Sequence, residues 1–234
     1  MARFICTDIH GNMPVFKKLM AFLKPDDQLF FLGDAMDRGA DGWEIMKEML
    51  RDNRITYIKG NHEDMLVQAA EEWFDEDHFG KMCDLVRYNG GSATLDAMFR
   101  DPWGADWAKM LKNLPTHLEF ENEMGRTLLL SHAGYNPILN RDDDMIIPGA
   151  HKLIWDRDHL LLPWDTEDFP GHVVVHGHTP LQHIAREFGD KDPIAAPLWY
   201  GMGHKVCLDY ATFVTDQLIV MNADTFDFEV IKGH

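Results

Sequence analysis

The sequence has few cysteines, no long apolar run and a shortage of positive charge, and each absence excludes a class of protein. Its three cysteines, Cys6, Cys83 and Cys207, are widely separated and form no CxxC pair. This argues against both a disulfide framework and a zinc–thiolate site. No segment reaches the ~18 consecutive apolar residues that suggest a membrane-spanning helix.

Positive charge is scarce, because 22 Lys and Arg residues stand against 39 Asp and Glu residues, a net charge of −17. Such a surface repels the phosphates of nucleic acids and anionic membranes, so neither is expected as a partner. The first residues lead directly into a strand pattern instead of a signal peptide, and we therefore expect a cytoplasmic protein. No pattern in the sequence predicts an oligomeric state.

The early part of the chain alternates strand and helix patterns. Apolar strand runs at 4–6, 29–32 and 55–58 are separated by two stretches with helical spacing. This β-α-β-α-β order predicts parallel neighbouring strands whose following loops meet at one edge of a sheet, where ligands bind in open α/β sheets. The length and the hydrophobic fraction of 45% fit a single domain over residues 1–234.

The rest of the chain is less regular. Residues 64–114 have helical spacing interrupted by Asn89-Gly90-Gly91, and we predict a helical insertion there. Its predicted apolar faces are Met65, Leu66, Ala69, Ala70 and Trp73, and then Leu85, Val86 and Tyr88. Strand patterns return at 118–120, 127–130, 173–175 and in the tail from 206 to 231. The segment 136–171, rich in Pro and Asp, is predicted to be mostly loop.

Metal-capable side chains follow five of the apolar strand runs directly. They are Asp8, His10, Asp34, Asn61, His62, His132, His176 and His178. Turn propensity explains any one of them, but five such strand ends at one sheet edge favour a common site. Imidazole, carboxylate and amide oxygen are ligands for divalent ions such as manganese, iron and zinc. The pattern predicts a site for two metal ions.

The same segments resemble the ordered signature of the phosphoprotein phosphatase family of calcineurin-like metallophosphoesterases. The matching motifs are Asp8-Ile9-His10-Gly11, Gly33-Asp34-Ala35-Met36-Asp37-Arg38-Gly39, Gly60-Asn61-His62-Glu63, Ser131-His132-Ala133-Gly134 and Gly177-His178-Thr179. The length, and Asn89-Gly90-Gly91 followed by Thr94-Leu95, resemble the short bacterial and phage serine/threonine protein phosphatases. The resemblance implies an α/β (α+β) fold with a central β-sandwich flanked by helices and a helical insertion.

The resemblance also implies the metal ligands. One divalent ion would be held by Asp8, His10 and Asp34, and the other by Asp34, Asn61, His132 and His178. Asp34 would bridge the two ions, since a carboxylate with two oxygens can contact ions about 3.5–4 Å apart. Manganese is the expected metal, with iron and zinc as alternatives.

The catalytic residues are implied in the same way. A hydroxide bridging the metals would attack phosphorus directly, and His62, oriented by Asp37, would protonate the leaving group. Arg38, Asn61 and Arg157 would bind the phosphate, with Arg157 chosen because Trp155-Asp156-Arg157 resembles the family's Trp-x-Arg segment. Weaker alternatives to Arg157 are Arg141 and Arg186.

The implied activity is that of a hydrolase, a metal-dependent phosphomonoesterase acting on phosphoserine and phosphothreonine in proteins, with phosphotyrosine as a further substrate. Its expected partner is a phosphoprotein or a small phosphoester. One alternative is a dinucleoside polyphosphate hydrolase of the diadenosine tetraphosphatase kind, which would need an additional basic or aromatic clamp. Another is a catalytically silent module that binds metal or a partner.

For His176 three interpretations stay open: a support for a ligand, a substrate-facing residue, or a polar strand end.

Overall fold

A computed structural model describes residues 1–71, 76–135, 150–157, 160 and 171–234 of the chain, and these residues form both strands and helices. The strands are Arg3–Cys6 (β1), Gln28–Phe31 (β2), Ile55–Tyr57 (β3), His117–Glu121 (β4), Thr127–Ser131 (β5), His172–His176 (β6), Leu198–Tyr200 (β7), Lys205–Cys207 (β8), Gln217–Asn222 (β9) and Phe228–Lys232 (β10). The helices are Met13–Phe22 (α1), Gly42–Arg51 (α2), Asn61–Glu71 (α3), Glu76–Tyr88 (α4), Ser92–Arg100 (α5), Gly104–Lys112 (α6), Ala150–Trp155 (α7), Leu181–Glu187 (α8) and Thr212–Thr215 (α9).

The first sheet contains the predicted β-α-β-α-β unit. β1, β2 and β3 are parallel neighbours joined by α1 and α2. β9 pairs antiparallel with β1 and β10 with β9, which gives the order β10-β9-β1-β2-β3. α1 begins with a helix N-cap. The Asn12 side chain accepts a hydrogen bond from the Val15 N–H, and Pro14 lies in the first turn.

The second sheet has the order β4-β5-β6-β8-β7. Its inner strands β5, β6 and β8 are parallel, while β4 and β7 pair antiparallel at the two edges. The carboxyl ends of β5 and β6 therefore point the same way, and the loops that follow them carry the histidines predicted from the sequence.

The two sheets pack face to face through alternate side chains. Ile5 and Phe30 of the first sheet share one buried cluster with Leu130 and Val175 of the second. On the other face of the first sheet, Phe31 packs in a second cluster with side chains from α1 and α2. Each fully buried Leu, Ile or Phe contributes about 1.5–3 kcal/mol to folding. The predicted fold class, a β-sandwich flanked by helices, is confirmed.

Four helices, α3 to α6, lie between β3 and β4. Val86 of α4 is fully buried, but Leu85 is 39% and Tyr88 is 89% exposed, so the prediction that the three share an apolar face is wrong. At 100° per residue the three positions span an arc of about 160° with Val86 at one end, and the core lies on the Val86 side, so exposure increases from Val86 through Leu85 to Tyr88. Trp73 of the predicted α3 face lies outside the described residues.

One helix lies within the segment predicted as mostly loop. α7 is held by a hydrogen bond from the Ala133 N–H to the Leu153 carbonyl (2.8 Å) and by one from Trp155 Nε1 to Asp64 (3.1 Å). Residues 136–149, 158–159 and 161–170, which include the alternative arginine Arg141, lie outside the described part of the chain. Within the described part, no helix is long and apolar enough to cross a membrane.

Candidate active site

The metal-capable residues predicted from the sequence, apart from His176, meet in one buried cluster at the edge where the parallel strands end. Asp8 and His10 follow β1, Asp34 follows β2, Asn61 and His62 begin α3 directly after β3, His132 follows β5, and His178 follows β6. All seven residues are buried, with exposed fractions of 6% or less. The candidate ligand atoms form two groups, Asp8–Asp34–His132 and His10–Asp34–His62. Within each group the atoms all lie within 4.8 Å of one another.

The backbone of this edge is strained at the candidate residues. Positive φ angles occur at Asp8 (52°), His10 (45°), Asp34 (61°), Asp37 (65°), Arg38 (62°) and His178 (65°). A left-handed conformation costs a non-glycine residue on the order of 1–3 kcal/mol, and it persists only where the surroundings impose it. Because such strain clusters at functional sites, its presence at six neighbouring polar residues makes this edge the candidate site.

Asp34 occupies the centre of the cluster. Its Oδ2 atom lies 3.6 Å from His10 Nε2, 3.7 Å from His62 Nε2 and 3.4 Å from His132 Nε2. Burial alone would raise the pKa of Asp34, but the neighbouring imidazoles hold it well below its ordinary value. The carboxylate is therefore charged. It lies between two halves of the cluster, one around His10 and the other around His132.

The first half of the cluster fits one divalent ion. His10 Nδ1 donates a hydrogen bond to the Met36 carbonyl (2.8 Å), which leaves the Nε2 lone pair of the neutral ring for a ligand. His10 Nε2 is buried, has no hydrogen-bond partner among the described residues, and lies 3.6 Å from Asp8 Oδ1. Burial also lowers the pKa of His10, which keeps the ring neutral.

The second half of the cluster is centred on an amide oxygen. Asn61 Oδ1 lies 2.9 Å from His132 Nε2 and 2.9 Å from His178 Nδ1. The other ring nitrogen of His132, Nδ1, donates a hydrogen bond to the Leu32 carbonyl (2.7 Å), which fixes the orientation of the ring. One oxygen and two imidazole nitrogens at this spacing, beside a charged carboxylate, are a donor set suited to a divalent transition ion.

His132 allows a direct test of this donor set. Burial lowers the pKa of His132, but the charges of Asp34 and other carboxylates outweigh burial and raise it to about 10. The metal-free protein therefore keeps a proton on the Nε2 atom at neutral pH. Metal ligation requires that this proton leave. We expect metal binding to release at least one proton and affinity to rise about tenfold or more per pH unit below pH ~10.

Titration calorimetry of Mn²⁺ binding in buffers with different heats of ionisation measures this proton release. The expected apparent enthalpy changes linearly with the buffer's ionisation heat, with a slope of at least one proton, because a metal-bound water that becomes hydroxide adds to the proton lost by His132. A slope of zero would show that His132 is not deprotonated on binding and would remove it from the ligand set.

His62 and Asp37 form a pair beside the cluster. His62 Nδ1 lies 2.6 Å from Asp37 Oδ2, so its Nε2 atom faces Asp34 and the Arg38 guanidinium, whose Nη2 atom is 3.5 Å away. Burial lowers the pKa of His62, but the charge of Asp34 and the hydrogen bond to Asp37 outweigh burial and raise it. The pair can therefore hold a proton on the face that points into the site.

The loop that carries Asp37 and Arg38 is held by the helices after β3. The Arg38 N–H donates to the Gly90 carbonyl (2.9 Å), and the Asp37 N–H donates to Thr94 Oγ1 (3.2 Å). A Cβ atom at Gly91 would lie 2.7 Å from Asp37 Oδ1, so only glycine fits there. This contact accounts for the glycine at position 91.

Both candidate phosphate-binding arginines face one open cleft of about 490 Å³ beside the cluster. Arg38 and Arg157 line it together with His178. The pKa of Arg157 is lowered by burial, and Arg38 lowers it further while Asp34 and Asp8 oppose the change, which puts Arg157 within reach of the cluster's charges. The alternative Arg186 lines the same cleft.

His176 lies apart from the metal-capable cluster. It ends β6, and its Nε2 atom is 2.6 Å from the Tyr200 hydroxyl of β7, while Nδ1 is 3.0 Å from the Gly177 carbonyl. Burial lowers the pKa of His176 to about 4, so it is a neutral hydrogen-bonding residue. These contacts connect the end of β6 to β7 and to the residue before His178, and they do not decide among the three interpretations.

Sequence analysis missed the structural role of Glu63. Its carboxylate accepts hydrogen bonds from the N–H groups of Gly60, Asp34 and Ala35 (2.8, 2.9 and 3.0 Å) and from the Tyr57 hydroxyl (2.7 Å). The bond from the Gly60 N–H caps the first turn of α3 and corresponds to the glutamate half of a capping box. Glu63 was visible as the last residue of the Gly60-Asn61-His62-Glu63 motif, but nothing in the sequence indicated that it ties two strand ends together.

We expect Glu63→Gln to lower the free energy of unfolding by about 2–3 kcal/mol, because the new amide NH₂ would face backbone N–H donors and leave them unsatisfied. Urea denaturation followed by circular dichroism measures the change. Glu229→Gln, on the exposed side of β10, is the matched control and should change stability by less than ~0.5 kcal/mol. An equally small effect at Glu63 would contradict this role.

The geometry of the site and the fold agree with a family match over most of the chain. Residues 1–205 match the calcineurin-like phosphoesterases, and the chain belongs to this family of metal-dependent phosphoester hydrolases. The family resemblance inferred from the sequence motifs is thereby confirmed.

Three relatives illustrate the similarity. Serine/threonine-protein phosphatase 1 of Salmonella typhimurium strain LT2 is 25% identical over 192 residues, covering 76% of this chain and 79% of the relative. A crystal structure of a "putative diadenosine tetraphosphatase" superimposes with a TM-score of 0.63 at 17% identity, covering 100% of this chain and 94% of the other. The cold-active protein-tyrosine phosphatase of a psychrophilic Shewanella superimposes with a TM-score of 0.61 at 13% identity, covering 98% and 80%. The two structural similarities support the fold alone.

Proposed function

We propose that this chain is a metal-dependent phosphomonoesterase that hydrolyses phosphoserine and phosphothreonine in proteins, with phosphotyrosine as a further substrate. The observation that carries the proposal is the position of the Asp34 carboxylate within 3.4–3.7 Å of three imidazole nitrogens, beside a cleft lined by Arg38 and Arg157. The Salmonella relative, named as a serine/threonine phosphatase, supports the choice of substrate.

Two sets of residues would hold two divalent ions, for which we expect manganese. One set is Asp8, His10 and Asp34, and the other is Asp34, Asn61, His132 and His178. When bound, the ions polarise phosphoryl oxygens and lower the pKa of water so that a nucleophile exists at neutral pH. The strained loops fix the carboxylates and imidazoles before substrate arrives, which reduces reorganisation during the reaction.

The two arginines would bind the phosphoryl oxygens. A guanidinium presents donors in a planar fork that matches two oxygens of a phosphate. Arg38 is pre-oriented, because its backbone is fixed by Gly90 and its guanidinium carbon lies 4.5 Å from the centre of the Phe213 ring. Arg157 would add a second donor group from the other wall, and the Asn61 amide would complete the phosphate contacts.

His62 would supply the proton to the leaving alkoxide. Its raised pKa favours the imidazolium form, and its Nε2–H points into the site while Nδ1–H donates to Asp37. Asp37 would act by holding the ring in this orientation. Protonation of the leaving oxygen by a positioned imidazolium contributes about 10²–10⁴ to the rate.

A substrate screen with the Mn²⁺-loaded protein tests the proposal. The substrates are p-nitrophenyl phosphate, matched phosphoserine, phosphothreonine and phosphotyrosine peptides, and diadenosine tetraphosphate at equal concentration. We expect hydrolysis of p-nitrophenyl phosphate and a higher kcat/KM for the phosphoserine and phosphothreonine peptides than for the dinucleotide. A preference for the dinucleotide would overturn the substrate choice. Inactivity toward every substrate, with manganese, iron and zinc each supplied, would favour a silent binding module.

A further inference from the structure

The cleft beside the cluster is cationic although the chain is strongly acidic. Three arginines, Arg38, Arg157 and Arg186, line it together with His183, and no Asp or Glu is among its described lining residues. The chain as a whole carries 39 acidic and 22 basic residues. A cleft of one sign in a protein of the opposite sign focuses the field on a ligand of complementary charge.

The cleft holds more positive charge than one phosphate needs. Arg38 and Arg157 account for the phosphoryl oxygens in the proposed function, which leaves Arg186 without an assigned ligand. Arg186 and His183 are three residues apart on α8, so they lie on the same face of the helix, and both are exposed. Arg186 forms no ion pair with any residue in the described parts of the chain.

We propose that Arg186, with His183 as a second donor, forms a subsite for an additional anionic group of the substrate, and that this group is the carboxylate of an acidic residue next to the phosphorylated residue. The inference rests on the proposed phosphatase function and specifies its substrates as acidic phosphopeptides. The expected gain is that of an exposed ion pair, about two- to fivefold in kcat/KM.

A second anionic group could also be another phosphate of a dinucleoside polyphosphate. The cleft favours the peptide, because a dinucleotide would need an aromatic face on which its base can stack. Phe213 is the single aromatic residue among the described residues that line the cleft. Its ring contacts the Arg38 guanidinium at 4.5 Å and the His10 ring at 5.6 Å between centroids and is 42% exposed, so the cleft offers one partly covered ring for a ligand that carries two bases. An acidic side chain requires no such platform.

The test uses two phosphothreonine peptides that differ only in having Glu or Gln on both sides of the phosphothreonine. The readout is the ratio of kcat/KM for the Glu peptide to kcat/KM for the Gln peptide, measured for each enzyme loaded with Mn²⁺. A general loss of activity or of folded protein cancels in this ratio. Arg186→Gln is compared with Arg186→Lys, which keeps the charge, and with Arg100→Gln. Arg100 is an exposed residue of α5 outside the cleft and is the matched control.

We expect a ratio of about two to five for the wild type and for Arg100→Gln, an intermediate ratio for Arg186→Lys, and a ratio near one for Arg186→Gln. The wild-type ratio should also fall as salt is added, since exposed charges are screened.

A ratio of one in the wild type, or an unchanged ratio in Arg186→Gln, would overturn the subsite while leaving the phosphatase function intact. Diadenosine tetraphosphate hydrolysis that falls in Arg186→Gln with peptide ratios unchanged would overturn the peptide assignment. A wild type inactive on p-nitrophenyl phosphate would overturn the proposed function and the subsite with it.

Discussion

Asp34→Asn is expected to lower kcat/KM by roughly a thousandfold, about 4 kcal/mol of transition-state stabilisation, and to reduce metal content at both positions. The physical reason is the central place of the carboxylate, whose Oδ2 atom faces His10, His62 and His132 at 3.4–3.7 Å. An amide of the same shape carries no charge and is a poor bridge between two cations. Elemental analysis of the purified variant by mass spectrometry gives the ions per chain.

The control for this variant is Asp96→Asn, which removes a carboxylate from the exposed surface of α5. It should bind metal and hydrolyse p-nitrophenyl phosphate like the wild type. Circular dichroism separates a folded, metal-poor Asp34→Asn protein from an unfolded one. Two ions per chain retained in a folded Asp34→Asn variant would contradict the bridging assignment.

His62→Asn should keep the metals and slow the chemical step. We expect kcat for a phosphoserine peptide to fall by about 10²–10³, because no imidazolium is left to protonate the leaving alkoxide. The decrease should be clearly smaller for p-nitrophenyl phosphate, since nitrophenolate is stable without a proton. The metal content should match that of the wild type, since the proposed ligand sets do not include His62.

A series of aryl phosphates with leaving groups of increasing pKa makes this test quantitative. Loss of a general acid should steepen the dependence of log kcat on leaving-group pKa in the variant. Asp37→Asn should change the slope in the same direction but by less, because Asp37 acts only through the orientation and charge of His62. An equal loss of rate across the whole series would contradict the role of His62 as an acid.

The position of the site could be predicted from sequence because the ligand candidates follow strands that are short, apolar and regularly spaced. The alternation of strand and helix fixes where the carboxyl ends of β1, β2 and β3 lie, and therefore where Asp8 and Asp34 lie. The second sheet is different, since long connections separate β5 from β6 and β6 from β7. The pairing of these strands with one another was not predicted. The pattern of strand ends predicted a common site that includes His132 and Asn61, and only the family resemblance assigned the two residues to the same metal ion.

Other features could not be predicted because they depend on long-range contacts. The four hydrogen bonds accepted by Glu63 come from the end of β3 and from the loops after β2 and β3, and a glutamate three residues into a helix has the same local sequence whether or not those segments are present. The exposure of Leu85 and Tyr88 depends on which side of α4 faces its neighbours. In α7, the Leu153 carbonyl accepts its hydrogen bond from Ala133, and the Pro- and Asp-rich composition of the surrounding segment gave no sign of this helix.

Crystals of the protein soaked with Mn²⁺, examined by anomalous scattering at the manganese edge, test the central claim most directly. We predict two anomalous peaks about 3.5–4 Å apart, with the Asp34 carboxylate in contact with both and Asn61 in contact with one. A single peak, or peaks remote from Asp34, would contradict the two-metal account.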